Sequence, residues 1–256
     1  MASEKFAVTG VAAAAPSGPT IVIEKLGLRF AGETLFDDLS LDLPGGEWTA
    51  VLGSSGIGKT SLLRAIAGAT QATGRISTQA GAPLRGLIAY MGQDDSLFPW
   101  LSALGNVVVG ARLRGTPADR PRAMRLLESV GLAGSGKMLP AALSGGMRQR
   151  VALARTLYEN RPVVLMDEPF SSLDQLSRSR MQTLAAELLR GRTVLLITHD
   201  PLEACRLADR VLVMSGLPAS LSAPLVLDGP TPRRVDDPIV LRTQGSLMRT
   251  LVGLPE

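Results

Sequence analysis

The stretch TAVLGSSGIGKTSLLRAIAG, residues 49–68, places a glycine-rich turn between a short apolar run and an amphipathic helical pattern. An apolar run bounded by glycine is typical of a buried strand, and the apolar residues after the turn recur at spacings of three and four, which predicts a helix. Gly53, Gly56 and Gly58 permit backbone conformations and close approaches that a side chain would prevent. The stretch therefore predicts a strand–turn–helix unit of an α/β protein.

The turn also fits the pattern G-x-x-x-x-G-K-[ST], in which successive backbone N–H groups point inward at phosphate oxygens. The helix that follows adds the partial positive charge of its N-terminus. Lys59 is placed to reach β- and γ-phosphates, and Thr60 to offer its hydroxyl to Mg²⁺. We expect nucleotide contacts from the whole loop and the start of the helix: Gly53, Ser54, Ser55, Gly56, Ile57, Gly58, Lys59, Thr60 and Ser61.

A pair of acids follows a second apolar run. In RPVVLMDEPF, residues 161–170, the apolar segment predicts another buried strand, and Asp167 and Glu168 stand at its end. Asp167 is placed to bind Mg²⁺ through water, and Glu168 to polarise a water that attacks the γ-phosphate. The alternative, that the two acids only cap the next segment, fits less well beside the phosphate loop.

A second helix start is also lined with glycine. LSGGMRQRVALARTLYEN, residues 143–160, begins with Ser144, Gly145 and Gly146, and its later apolar residues recur at helical spacing. The exposed N–H groups at such a helix start can hold an anion. The alternative is a tight helix start with no ligand. The chain therefore offers two candidate phosphate sites.

The chain has one histidine, His199, in VLLITHD, residues 194–200. The aliphatic residues before it predict a short buried strand, and Asp200 and Pro201 after it predict the N-cap and first turn of a helix. His199 is thus expected at the C-terminal end of a strand, where ligands bind in open parallel sheets. Taken alone, a histidine at such a position more often only packs in a loop.

Composition excludes several classes of protein. Among 256 residues there is no continuously apolar stretch long enough for a membrane span, and the net charge of +4 comes from arginines interspersed with acids, which does not indicate nucleic-acid binding. Cys205 is the single cysteine, so no internal disulfide is possible. Residues 1–19 are expected to form a flexible tail, because Glu4 and a weak apolar region argue against a signal peptide.

In their order along residues 20–230, these motifs resemble the nucleotide-binding subunit of an ABC transporter. The resemblance implies that Phe30 stacks on adenine, where the family often has tyrosine, and that Gln93 contacts Mg²⁺ and the attacking water. It implies that residues 171–174, SSLD, cross between subunits and that His199 holds the γ-phosphate. Met147 stands where LSGGQ is commoner, a variation that is frequent in importers.

The implied catalytic residues are thus Lys59, Gln93, Glu168 and His199, and the implied metal ligands are Thr60, Gln93 and Asp167. The implied fold is α/β: a P-loop NTPase with a RecA-like core, an N-terminal antiparallel β subdomain, and a helical subdomain at about 94–160 within a domain at 20–230, followed by a C-terminal extension at 231–256. The resemblance further implies a head-to-tail homodimer in which each ATP lies between the phosphate loop of one chain and Ser144–Gly146 of the other.

Two functions stay open on the sequence. The first is the ATPase of a membrane transporter at the cytoplasmic face, with separate permease subunits, a solute-binding protein and no nucleic acid. The second is an ABC-type ATPase acting on nucleic acid or ribosomes, which this chain resembles less because it has neither long heptad repeats nor a second cassette. SLFPWLSALGNVVVGARLRG after Gln93 is similar to the nitrate, sulfonate, taurine and thiamine-precursor importers. Its Phe98 and Trp100 are expected either to receive a helix of the permease or to fill the core of the helical subdomain.

Overall fold

The computed structural model describes residues 18–30 and 32–253. Within these ranges the strands are β1 (Ile21–Phe30), β2 (Glu33–Leu43), β3 (Trp48–Leu52), β4 (Thr73–Thr78), β5 (Ile88–Met91), β6 (Val163–Asp167), β7 (Thr193–Ile197), β8 (Arg210–Ser215), β9 (Ser220–Leu221) and β10 (Leu225–Val226). The α-helices are α1 (Lys59–Ile66), α2 (Ala103–Val107), α3 (Val109–Leu113), α4 (Arg120–Ser129), α5 (Gly145–Tyr158), α6 (Gln175–Leu188), α7 (Pro201–Leu207) and α8 (Pro238–Val252).

The described residues divide into two compact units. A helical unit consists of Met91–Asn160 and Pro169–Leu189 and contains α2 to α6. A β-rich unit consists of the described residues through Tyr90, together with Arg161–Glu168 and the described residues from Arg190 onward. The helical subdomain expected at 94–160 lies inside the helical unit, which also includes α6 and the segment that precedes it.

The β-rich unit contains two sheets. In the antiparallel sheet β1 lies between β2 and β4, with Ile23 opposite Leu41 on one side and Ile76 on the other. The larger sheet has the order β10-β8-β3-β7-β6-β5, with β9 paired to β8. Its pairs β8–β3, β3–β7 and β7–β6 are parallel. The mixed α/β architecture with an N-terminal antiparallel sheet is as the sequence led us to expect.

Burial explains why the three central strands are so apolar. Every residue of β3, β6 and β7 is buried, as is typical of strands covered on both faces of a parallel sheet. One apolar cluster joins the antiparallel sheet, α1 and the parallel sheet, and its members include Ile21, Leu43, Leu62, Leu63, Leu165, Leu195 and Ile197. Both sheets and α1 therefore share a single core, which fixes the turn between β3 and α1.

Strand register brings the predicted motifs to one edge of the sheet. Val51 of β3 is paired with Ile197 of β7, and Ile197 is paired with Asp167 of β6. Because these strands are parallel, the residues that follow them leave the sheet at the same edge. The phosphate loop, Glu168 and His199 each follow one of these strands, so the register gathers three motifs that are far apart in the sequence.

The C-terminal extension is anchored by a buried arginine in the β-rich unit. Arg233 is 3% exposed, and its guanidinium donates to five backbone carbonyls over distances of 2.7–3.1 Å. Two of the acceptors, Cys205 and Ala208, lie at the end of α7, against which α8 packs. Burial lowers the pKa of Arg233, and the carbonyl acceptors offset the cost of desolvating its charge.

The expected flexible tail lies outside the described residues except for Gly18 and Pro19. Both of these are bound to the β-rich unit: the N–H of Gly18 donates to the Gly191 carbonyl at 2.9 Å, and the Thr193 hydroxyl donates to the Pro19 carbonyl at 2.7 Å. No helix in the described part of the chain is both long and apolar enough to cross a membrane.

Candidate functional site

The phosphate loop lies between β3 and α1, as the strand–turn–helix pattern predicts, and α1 begins at Lys59. Gly56 and Gly58 have positive φ values of 82° and 105°, and Gly58 is the N-cap of α1. A β-carbon at Gly58 would lie 3.2 Å from Cζ of Phe36, so this position combines a left-handed backbone with a close ring contact. Glycine is therefore required here by both conformation and packing.

Lys59 lies under this loop and is 7% exposed. Its Nζ donates to the backbone carbonyls of Gly53 at 2.8 Å and Ser54 at 2.7 Å. Burial lowers its pKa, while the nearby carboxylates of Glu168 and Asp167 act in the opposite direction. The side chain is thus a buried ammonium group held by loop carbonyls beside two acids.

Asp167 ends β6 and is 1% exposed. The Thr60 hydroxyl donates to its carboxylate, and burial raises the pKa of Asp167 while that hydrogen bond lowers it. The second carboxylate oxygen, Oδ2, is buried and has no hydrogen-bond partner in the described chain. An unpartnered buried carboxylate oxygen beside a hydroxyl is the kind of oxygen site that suits Mg²⁺.

Among the described residues no three His, Cys, Asp or Glu side chains form a group that could hold a metal ion. A cation at Asp167 and Thr60 would therefore need oxygens from another source. Mg²⁺ is usually bound through one or two carboxylates together with substrate phosphates, so the residues present fit a nucleotide-bound Mg²⁺ rather than a resident metal.

Glu168 and His199 contact each other directly. Glu168 has a positive φ of 46°, and its N–H donates to the Ile197 carbonyl at 2.9 Å. The Nδ1 atom of His199 lies 3.0 Å from Oε2 of Glu168, and the side chains are 61% and 16% exposed respectively. When Nδ1–H donates to Glu168, the other ring nitrogen is left for a second partner. Asp200 caps α7 by accepting from the Leu202 N–H at 2.9 Å, as predicted.

Phe30 is the last residue of β1 in the same β-rich unit, and it is 69% exposed. Exposed single apolar side chains are common, but a phenyl ring left open to solvent offers a face on which a planar base can stack. The structure thus leaves the predicted adenine-stacking ring accessible.

The helical unit carries the other predicted residues. Ser144 is the N-cap of α5, and its Oγ accepts from the Met147 N–H at 3.3 Å. Gly145 and Gly146 form the first turn of this 14-residue helix, whose leading N–H groups are those that a helix leaves without internal acceptors. Gln93 lies exposed in the loop after β5 and belongs to the helical unit. Gln93 is therefore in a different unit from Thr60 and Asp167, its two predicted partners at Mg²⁺.

The Phe98–Trp100 segment shows features of both predicted alternatives. Trp100 is 71% exposed, whereas Phe98 is partly buried, and their ring centroids are 5.4 Å apart. The fully buried Asn106 side chain holds this segment, because its amide donates to the Phe98 and Leu101 carbonyls at 3.2 and 3.0 Å. No pattern around Asn106 predicts this role, because the role depends on the folded loop.

Comparisons with known proteins identify the family of this chain. The family model described as ABC transporter matches residues 36–171. An uncharacterised ABC transporter ATP-binding protein of Haemophilus influenzae is 42% identical over 236 residues, covering 90% of this chain and 98% of the relative. Aliphatic sulfonates import ATP-binding proteins SsuB of Delftia acidovorans and SsuB 2 of Streptomyces avermitilis are 44% and 43% identical, covering 87% and 93% of this chain and 90% and 92% of the relatives.

Solved structures give the same result. The post-hydrolysis dimer of the ATP-binding cassette MJ0796 bound to ADP and Pi matches with a TM-score of 0.73 and 26% identity, over 82% of this chain and all of that chain. The cbiO1 protein of Clostridium perfringens, part of the cbiONQ ABC transporter complex, matches with a TM-score of 0.69 and 27% identity, over 81% of this chain and 88% of that one. The resemblance and the P-loop NTPase fold predicted from the sequence are both confirmed. The chain belongs to the ABC transporter ATP-binding family and is an ABC ATPase.

Proposed function

We propose that this protein binds and hydrolyses ATP to power the import of a small solute through separate permease subunits, from the cytoplasmic face of the membrane and together with a solute-binding protein. The observation that carries the catalytic part is the Glu168–His199 contact of 3.0 Å beside the buried Lys59 and Asp167. The names of the sulfonate-import relatives support import and favour aliphatic sulfonates as the class of solute. They also favour transport over the alternative of an ATPase acting on nucleic acid or ribosomes.

The proposed reaction uses groups that are already in place. Lys59 exchanges its two carbonyl acceptors for β- and γ-phosphate oxygens, while Thr60 and Asp167 hold Mg²⁺, which neutralises phosphate charge when bound. Glu168 accepts the proton of a water that attacks the γ-phosphorus, and the oxygen bridging to the β-phosphate leaves with ADP. His199 donates to the γ-phosphate while its contact with Glu168 fixes the orientation of its ring.

The anion site at Ser144, Gly145 and Gly146 is proposed to act on the ATP of a second copy. In a head-to-tail pair, the helix start of each chain would face the phosphate loop of the other. Two identical composite sites would then form. Gln93 and the D-loop at residues 171–174 would then report on the bound nucleotide, and Phe30 would stack on adenine. The solved structure of the homologous ATP-binding cassette MJ0796 bound to ADP and Pi is dimeric, which supports the pairing of two copies.

Replacing His199 with alanine is expected to lower ATP turnover by about 10²-fold or more, while ATP affinity changes by less than about threefold. The reason is that an imidazole at the γ-phosphate acts on the geometry of hydrolysis, whereas Lys59 and the loop amides supply most of the binding. Steady-state turnover and equilibrium ATP titration measure the two effects separately. Turnover that survives while affinity falls would assign His199 a structural role.

The proposed link to the permease lies at Phe98 and Trp100. Changing both to serine is expected to leave nucleotide binding intact while lowering co-purification with the permease subunits, and ATP-driven uptake into vesicles, by about tenfold or more, because large aromatic anchors dominate interface energies. Leu113→Ser is a matched control, since Leu113 is a large apolar residue of α3 in the same unit that is 76% exposed. A double variant that melts at a markedly lower temperature yet still supports uptake would place the two rings in the core of the unit.

A further inference from the structure

The loop after Gln93 is tied to the start of α5 by an ion pair inside the helical unit. The Nε of Arg148 lies 2.8 Å from Oδ2 of Asp95, and its Nη1 donates to the Leu143 carbonyl at 3.0 Å. One guanidinium thus joins Asp95, two residues after Gln93, to the residue that precedes the N-cap Ser144. Because the guanidinium is a rigid fork, the two contacts fix the distance between these segments.

The loop end of this connection is itself held in one conformation. Asp95 Oδ1 accepts from the Leu97 N–H at 3.2 Å, so both oxygens of its carboxylate are used. Arg155, two turns further along α5, donates to the carbonyls of Asp95 at 2.7 Å and Ser96 at 2.8 Å. Ser96 has a positive φ of 44°, which the surrounding hydrogen bonds support. Asp95 therefore transmits a fixed loop geometry to α5.

Electrostatics explain why an acid is needed at this place. Arg148 is the fourth residue of α5, and a cation near a helix N-terminus is unfavourable to the helix dipole. The first turn of α5 contains no acidic residue, so Asp95 supplies from another segment the negative charge that the turn lacks. The Nη2 atom of Arg148 also lies 3.8 Å from where a β-carbon of Gly145 would be, which places the guanidinium directly beside the proposed anion site.

We propose that Asp95 is a positioning residue. Through Arg148 it holds the Leu143–Gly145 turn, at the start of α5, in a fixed position relative to the loop that contains Gln93. The proposal rests on the proposed function, in which this turn binds the ATP of a second copy. The two side chains are 37% and 28% exposed, so the pair contributes only modestly to stability, and it links the loop to the anion site for as long as it stays intact. Loop and anion site then change position together.

The test uses the Glu168→Gln protein, in which ATP is expected to persist between two copies. Into this parent are introduced Asp95→Ala, Arg148→Ala, both together, and Asp95→Glu. Sedimentation equilibrium with ATP and Mg²⁺ measures the dimer dissociation constant, and titration with ADP measures nucleotide binding by one chain. Arg114→Ala is the matched control, because Arg114 pairs with Glu159 at 2.6 Å near the other end of the same helix.

Asp95→Ala is expected to weaken the dimer by about tenfold, because a partly exposed pair worth about threefold acts in two identical sites. The double variant should be no weaker than Arg148→Ala, Asp95→Glu should recover most of the loss, and ADP affinity should stay as in the parent. The inference is wrong if the effects of the two single variants on the dimer dissociation constant add in the double variant, or if the Asp95→Ala dimer is as tight as that of Arg114→Ala. Either result would leave the proposed function standing. A parent that forms no dimer with ATP would contradict the proposed function, and the inference with it.

Discussion

Replacing Glu168 with glutamine is expected to lower ATP hydrolysis by about 10²- to 10⁴-fold and to leave ATP bound. Glutamine keeps the size of the side chain and an oxygen that can accept the hydrogen bond from His199, which lies 3.0 Å from the carboxylate in the native protein. It cannot accept the proton of the attacking water. The substitution therefore removes the chemical step with little change in the shape of the site. Single-turnover release of phosphate measures the effect directly.

The second expected result for this variant is a dimer that persists in ATP and Mg²⁺ and dissociates when ADP replaces ATP. Gel filtration separates the two states. Glu187→Gln is a suitable control, because it makes the same chemical change on the exposed surface of α6. A Glu168→Gln protein that hydrolyses ATP at the native rate would show that another group accepts the proton, and the assignment of Glu168 would fail.

The parts of the site that are local in sequence could be predicted from it. The turn between β3 and α1 and the cap at Asp200 each depend on neighbouring residues, and the structure places them as expected. Glycine at position 58 is an example, because its positive φ follows from the turn itself. The close ring of Phe36, which excludes a side chain there, comes from another strand and could not be foreseen.

The parts that depend on tertiary structure could not be predicted in the same way. Glu168 and His199 are expected at strand ends from their sequence context, but their contact depends on the register of β6 against β7. Nothing in the sequence marks Asp95 and Arg148 as a pair, because their contact forms only when the loop and the helix are folded together. Likewise, nothing in the sequence around residues 169–189 signals that this segment belongs to the helical unit.

The same limit explains the two open readings of Phe98 and Trp100. Bulky apolar residues in a loop can fill a small core or form part of a binding surface, and the hydrophobic periodicity of the sequence does not distinguish the two cases. The structure divides them, with Phe98 partly buried and Trp100 largely exposed. Asn106 holds the backbone of the segment, so the exposed ring stands on a fixed support rather than on a free loop.

Lys59→Ala is expected to weaken ATP binding by about 10²- to 10⁴-fold. In the free protein the ammonium group is bound to the carbonyls of Gly53 and Ser54, and in the complex it would donate to β- and γ-phosphate oxygens instead. Hydrogen bonds to charged groups contribute about 1.5–3 kcal/mol each, so the loss of two, about 3–6 kcal/mol, corresponds to this range. Isothermal titration with ATP and Mg²⁺ measures the affinity.

The size of this loss depends on Lys59 having no substitute within the phosphate loop. Residues 53–61 contain no other cation, and the backbone amides of the loop cannot supply the missing charge. Lys137→Ala is the matched control, because Lys137 is an exposed lysine in the helical unit outside the proposed site.

Burial lowers the pKa of Lys59, so the native protein must keep this group charged against the cost of desolvation, and the two nearby acids help it to do so. Removing the charge should therefore leave the free protein no less stable to heat while abolishing the rise in melting temperature that ATP produces. An alanine variant whose ATP affinity stays within about twofold of the native value would show that the phosphates bind elsewhere.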